Sequence, residues 1–245
     1  MVKDKMNSVI ETIQGHRSIR SFKEKPITSE QMDTIIASGI AASSSSLLQA
    51  VSVIRITDQD KRATLAQLAG NQPYVASAAE FLVFCIDYQR HAALNPEVKP
   101  DYTELTLIGA IDAGIMAQNC LLAAESMGLG GVYIGGLRNS PKEVDELLAL
   151  PRYTAVLFGL CLGYPDQDPQ LKPRLSPKVI VHENSYQPLD QTLITEYDQT
   201  MQTYYQHRST NTKQQGWSEQ VTTKLSKESR PYIRDYLNSK GLANK

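Results

Sequence analysis

The chain has 245 residues, 25 of them basic and 26 acidic, and 41% are hydrophobic. That length suits one large domain, or one domain with an excursion, and the composition is that of an ordinary globular protein. A net charge near zero excludes the whole-surface basic field of a nucleic-acid binder. The first fifteen residues lack the apolar core and cleavage site of a secretory signal. The longest uncharged apolar run, 113–124, is too short to span a bilayer, so a cytoplasmic protein without a membrane segment is expected.

Along the chain, residues 5–15 and 29–42 read as helices. The second opens on "PITSEQM", where Thr28 or Ser29 can cap and Glu30 or Gln31 lies in the first turn. "AVSVIRIT", 50–57, alternates and is rich in Val and Ile, which predicts a strand. A short amphipathic helix over 58–69 and a mostly buried strand over 79–87 follow. The run 102–128 is long, free of proline and apolar on nearly all faces. Such a helix is buried in a core or at a subunit interface, and Gly109, Ala110, Ala113, Gly114 and Ala117 would let another helix approach. "GGVYIGG" predicts a short strand bracketed by glycines, "SPKEVDELLAL" a helix with Pro141 in its first turn, and "YTAVLFGLCLGYP" another strand. From 165 to 190 the chain reads as loop, with helices expected at 188–206 and 218–240. The pattern gives an α+β core to about residue 165 and an exposed C-terminal excursion over 166–245 within a single domain, suited to wrapping a partner subunit.

Several chemistries are absent from the sequence. It has no phosphate-binding P-loop and no GxSxG nucleophile elbow. "GLGGVYIGG" has Tyr133 where a dinucleotide fingerprint needs its third glycine, and it leads from helix into strand, the reverse of the required order. Cys85, Cys120 and Cys161 sit in apolar strings, as buried structural thiols do. His16, His91, His182 and His207 do not approach metal-site spacing, so no metal is expected.

Four weak signals remain. "GHRSIRSF", 15–22, offers Arg17 and Arg20 on nearly one side of a turn. Arginine forks suit phosphate, although a basic helix end in solvent would read the same. "SSSS", 43–46, supplies hydroxyls and free N–H groups, or a plain linker. "KPR", 172–174, places two cations around a stiff proline, or forms an ordinary loop. "YIGG" lets backbone approach a flat ligand, or marks a bulge. Together they suggest a phosphorylated, planar ligand with polar edges, which flavin mononucleotide (FMN) satisfies.

"GHRSIRSF", "SSSSLLQ", "AAEFLVF", "AAESMGLGGVYIGGLRN", "LFGLCLGYP", "LKPRL", "VHENSYQPLD" and "KESRPYIRDYL" resemble, in order and spacing, the oxygen-insensitive NADPH nitroreductases and the related NADPH-dependent flavin reductases. The resemblance covers the chain from about residue 8 to its end. It implies a nitroreductase-like α+β fold with a central mixed, mainly antiparallel sheet. It also implies a homodimer with FMN at the interface and a C-terminal excursion around the partner.

Carried over by position, His16, Arg17 and Ser18 fall near the flavin phosphate and ribityl chain. Lys172 and Arg174 fall on the phosphate side. Arg20 matches a cation near the pyrimidine edge that tunes the flavin. Ser44, Ser45 and Ser46 match the hydroxyl loop, Gln72 an amide near the pyrimidine, and Tyr133, Ile134, Gly135 and Gly136 the stretch along the ring. Arg208, with Lys213 beside it, matches the NADPH phosphate side. Arg138 and Arg230 match further pocket cations, and Leu47 a substrate contact. No protein side chain is expected to act as general acid. Leu47 stands where some relatives have phenylalanine, and Pro73-Tyr74 replaces more polar residues. The implied activity is two-electron, ping-pong reduction of nitroaromatics, nitrofurans or quinones by NADPH. The alternatives are supply of reduced FMN to a monooxygenase or luciferase, and a non-catalytic flavin sensor.

Overall fold

The computed structural model describes residues 8–208 and 213–245. These form two compact units. The first comprises residues 8–169 and Arg230–Lys245, the second Gln170–Ser229. The expectation that everything after residue 165 leaves the core is therefore corrected. Tyr236 and Leu242 are fully buried apolar residues of the first unit, and that apolar anchorage draws the last residues back.

In the first unit, α1 (Ser8–Gln14) and α2 (Ser29–Ile40) come first. The Thr28 side chain and the Gln31 amide cap α2 reciprocally, as the "PITSEQM" pattern predicts. Strands β1 (Val51–Arg55), β2 (Glu80–Asp87), β3 (Gly130–Ile134) and β4 (Thr154–Gly163) form one sheet in the order β1-β2-β4-β3. All its strand pairs are antiparallel, and the parallel component is an isolated bridge from Ser18 to Gly131. Between β1 and β2 lie α3 (Gln59–Leu68), as the sequence pattern predicts, and the single turn α4 (Tyr74–Ser77), in a stretch to which the pattern assigns no element. The short α5 (Gln89–Leu94) was also missed. α7 (Pro141–Leu148) precedes β4.

The long helix α6 (Thr103–Ser126) lies on the sheet and on α2. Its length and composition would suit a membrane span. Here Gly109, Ala113 and Ala117 are buried, and Gly109 lies against Ile86. Leu107, Ala110, Ile111, Gly114 and Ile115 are exposed on the other side. The small residues thus divide between a core face, as a buried helix requires, and an open apolar face.

The second unit contains α8 (Pro177–Ile180), α9 (Gln191–Gln206) and α10 (Trp217–Leu225). The helix expected over 218–240 is two helices. α10 ends before Pro231, and α11 (Ile233–Ser239) belongs to the first unit. The residue before a proline avoids the helical region, which keeps α10 from running on into α11.

Candidate functional site

β3 is an edge strand, and two of the sequence signals meet along it. Ser18 bridges Gly131, and the Ile19 N–H donates to the Gly131 carbonyl at 3.0 Å. Residues 16–22 therefore run beside β3 and bridge again from Phe22 to Pro165. They form no helical turn, so the expectation that Arg17 and Arg20 share one side of a turn is corrected.

His16 Nδ1 lies 2.6 Å from Glu125 Oε1 near the end of α6. Arg17 makes a loose 3.8 Å ion pair with the exposed Asp168, while its Nε is buried with no hydrogen-bond partner among the described residues. Arg20 is exposed; among the described residues its Nη1 reaches the Ser18 carbonyl, at 3.5 Å. The open cations and the orphaned Arg17 nitrogen form a place where an anion would be satisfied.

At the far end of β3 the chain tightens into a 3-10 turn, Gly135–Asn139. A side chain at Gly136 would overlap the Ala69 carbonyl oxygen and Gln72 Nε2. The loop after α3 thus presses directly on the glycine strand end. Gln72 Nε2 donates to the Ala69 carbonyl at 2.6 Å, and Tyr74 Oη donates to Gln72 Oε1 at 2.5 Å. Tyr133 is partly exposed, stacks edge-on against Phe158, and donates to Gln118 Oε1 at 3.3 Å. About four residues at 3.3 Å each separate Gly131 from Gly135, so the cationic and glycine ends lie roughly 13 Å apart.

Arg138 Nη1 donates to the Leu157 carbonyl. Burial, then the nearby Arg230, pulls the Arg138 guanidinium below its ordinary pKa. Arg230 holds Asn139 Oδ1 through Nη2 at 2.7 Å and Nε at 3.1 Å, and the Gly135 carbonyl at 3.3 Å. These two expected cations do border the glycine turn. Both are tied to backbone or amide oxygens, and no ion pair to either occurs among the described residues.

The serine loop lies elsewhere in the chain. It leads into β1, the opposite edge of the sheet. Ser44 Oγ donates to Asp112 Oδ2 at 2.6 Å, and the Ser45 N–H donates to Asp112 Oδ1 at 3.2 Å. Ser46 and Leu47 have φ of 49° and 55°, and Leu47 is exposed. Asp112 and Glu125 share α6, and thirteen residues of helix span about 20 Å. One copy of the chain therefore does not bring Ser44, Ser45, Ser46 and Leu47 to the cluster around His16. The serine loop instead borders a cleft of about 780 Å³ with Gln49, Arg90, His91 and Asp112.

In the second unit, Lys172 Nζ and Lys213 Nζ approach the Tyr205 ring at 5.4 and 5.5 Å, and Arg208 approaches the Tyr204 ring at 5.4 Å. Burial pushes the Tyr205 phenol up, but Lys172, then Lys213 and Arg208, outweigh it and lower the pKa. Arg174 Nη1 donates to the Lys172 carbonyl at 2.9 Å. Three expected cations thus converge on one tyrosine pair, and their summed charge attracts anions.

Sequence reasoning missed Glu125 and Asp112. Each was visible as a lone carboxylate in an otherwise apolar helix, a placement that requires a partner. The thiols behave as expected: burial pushes Cys85 up to about 12 and Cys120 up to about 11, and all three cysteines are free.

The family model described as "Nitroreductase family" matches residues 13–164, and "Nitroreductase family, C-terminal domain" matches 172–245. The chain is 68% identical to the NADPH-flavin oxidoreductase of Vibrio harveyi, over 98% of this chain and all of that one. It is 49% identical, with the same coverage, to the oxygen-insensitive NADPH nitroreductase of Salmonella typhimurium. The crystal structure of nitroreductase A from Vibrio parahaemolyticus superposes with a TM-score of 0.94 at 65% identity, covering 98% of this chain and all of that one.

Proposed function

Because the chain belongs to the nitroreductase family, we propose that it is an FMN-dependent oxidoreductase that draws electrons from NADPH and passes them in pairs to nitroaromatics, nitrofurans or quinones. The observation that carries this reading is the track along β3. It has an anion-hungry end at His16, Arg17 and Ser18 and a flat, side-chain-free end at Gly135 and Gly136 with the Gln72 amide beside it. The buried, partnerless Arg17 Nε and the glycine end fit a phosphorylated planar group.

When bound, FMN supplies the hydride-accepting and hydride-donating chemistry. The chain's own residues bind and orient it. Arg17 would neutralise phosphate and His16 would hydrogen-bond it, with Glu125 fixing the imidazole from its Nδ1 side. Arg20, free of any carboxylate partner among the described residues, offers charge to the pyrimidine edge. Arg138 and Arg230 keep the turn beside Gly135 cationic toward an incoming acceptor. The assignments of Lys172 and Arg174 to flavin phosphate, and of Arg208 and Lys213 to NADPH, rest on the resemblance. The tyrosine-centred convergence of Lys172, Lys213 and Arg208 supports an anionic ligand there.

The serine loop enters this reading through a second copy. Ser44–Ser46 and Leu47 lie at the opposite sheet edge and about 20 Å along α6 from the His16 cluster, so a ligand touching both is bounded by two chains. The exposed stripe Leu107, Ile111 and Ile115, with Ile40 and Leu47, supplies an apolar surface for that homodimer. A second reading, release of reduced FMN to a monooxygenase or luciferase, is favoured by the higher identity to a protein named for flavin reduction.

The deciding measurement is an anaerobic visible spectrum of the FMN-loaded protein before and after one equivalent of NADPH. Bleaching followed by recovery with a quinone supports the reductase, whereas a spectrum indifferent to NADPH refutes it and leaves a flavin sensor. Faster recovery with free FMN than with quinone favours the second reading. Arg17→Ala should weaken FMN binding about tenfold to a hundredfold, the size of a hydrogen bond to a charged group. Fluorescence titration checks this, and unchanged affinity would remove the phosphate end from the scheme.

A further inference from the structure

Gln72 is held from three directions. The Ala69 carbonyl can only accept, so the amide atom 2.6 Å from it is nitrogen, and the opposite end is oxygen. Tyr74 donates its hydroxyl to that oxygen at 2.5 Å. Gly136 closes the third side at van der Waals range, where no side chain fits. The backbone around the amide is equally fixed: the Gln72 N–H donates to the Ala66 carbonyl, and the Val75 N–H to the Gln72 carbonyl, both at 3.0 Å.

The buried Arg62 holds α4, in the same loop, through the Val75, Ala78 and Ala79 carbonyls. The amide is left with one N–H to give. A hydroxyl donating to an amide oxygen draws density from the nitrogen, strengthening that N–H and weakening the oxygen as an acceptor.

We propose that Tyr74 is a positioning residue that makes Gln72 a committed hydrogen-bond donor to the edge of the bound flavin. The proposal rests on the FMN reading above. A donor at that edge stabilises the negative charge that develops on reduction. Tyr74 therefore raises the potential of the bound flavin without touching it.

The test is the midpoint potential and visible band of bound FMN, by anaerobic dye equilibration, in wild type, Tyr74→Phe, Gln72→Met and the double variant. Tyr74→Phe should bind FMN, shift the flavin band, and move the potential to a more negative value. Gln72→Met should move it further in the same direction. Tyr74→Phe should add nothing in the Gln72→Met background, because its effect runs through the amide.

An unchanged or more positive potential in Tyr74→Phe overturns the proposal, and so does a folded Tyr74→Phe protein that no longer takes up FMN. A Tyr74→Phe shift that persists at full size in the Gln72→Met background does the same. Failure of the wild type to take up FMN is read before any variant is made. It would overturn the FMN reading itself, and the two failures are therefore distinct.

Discussion

Replacing Lys240 with methionine should cost about 3–5 kcal/mol at neutral pH, the range found when a buried ion pair loses one partner. Lys240 Nζ lies 2.6 Å from Asp145 Oδ2, with the two side chains only 12% and 13% exposed, and it also donates to the Leu150 carbonyl at 2.9 Å. Tyr236 completes the group by donating to Asp145 Oδ1 at 2.7 Å while accepting from the Val156 N–H of β4 at 3.0 Å. Burial already pushes the Asp145 carboxyl above its ordinary range, and Lys240 and Tyr236 oppose that push.

Without Lys240 the pKa of Asp145 rises further. A carboxyl whose folded pKa exceeds its unfolded value opposes folding only while ionised. The deficit should therefore be full above the folded pKa and shrink as the pH falls toward about 3.9, the unfolded value. Urea unfolding of both proteins across pH 5 to 8 checks this. A pH-independent deficit would mean that lost packing, not the orphaned carboxylate, is responsible.

Gly136→Ala should lower stability by about 3 kcal/mol, the upper end for overpacking a close-fitted site. The new methyl meets a backbone carbonyl, Ala69 O, and a clamped amide, Gln72 Nε2, and neither can swing away cheaply. The loop after α3 must move, and Gln72 moves with it. FMN affinity should fall together with the melting temperature, whereas Arg17→Ala lowers affinity with little change in melting. Thermal unfolding with and without FMN separates the two. A Gly136→Ala protein of normal stability and normal FMN uptake would show that the turn has slack that its packing does not suggest.

Much of the fold was legible because local rules and burial agreed. The Thr28–Gln31 box, the apolar run of β2 and the unbroken α6 each rest on short-range pattern. What escaped was set by partners distant in sequence. The return of residues 230–245 depends on Asp145 and Val156 meeting Tyr236, contacts across some ninety and eighty residues. The helix break before α11 follows from Pro231, a local signal that the polar surroundings obscured.

The candidate site divides in the same way. "HRSIR" and "YIGG" fall together because one strand joins them. "SSSS" stands apart because Asp112, a lone carboxylate whose partner spacing does not name, holds it at the other sheet edge. Tyr74 entered the sequence reading only as a departure from more polar residues. Its contact with Gln72, two residues away, turns on a side-chain direction that spacing does not give.

Both ends of the second unit are fastened: the chain leaves the first unit after Pro169 and rejoins it at Arg230. A segment anchored at both ends behaves as an insertion, and lengthening such a loop is cheap, roughly 0.6 kcal/mol for each doubling. The insertion carries Lys172, Arg174, Arg208 and Lys213, while Arg17, Gln72 and Gly136 belong to the anchored part. Evolution can therefore rewrite the four cations, by insertion, deletion or exchange of the whole segment, without disturbing the hydrogen bonds around Gln72. Grafting Gln170–Ser229 between relatives therefore tests the proposal that Arg208 and Lys213 face the electron donor: a changed NADPH preference supports it, and an unchanged one removes those two cations from the scheme.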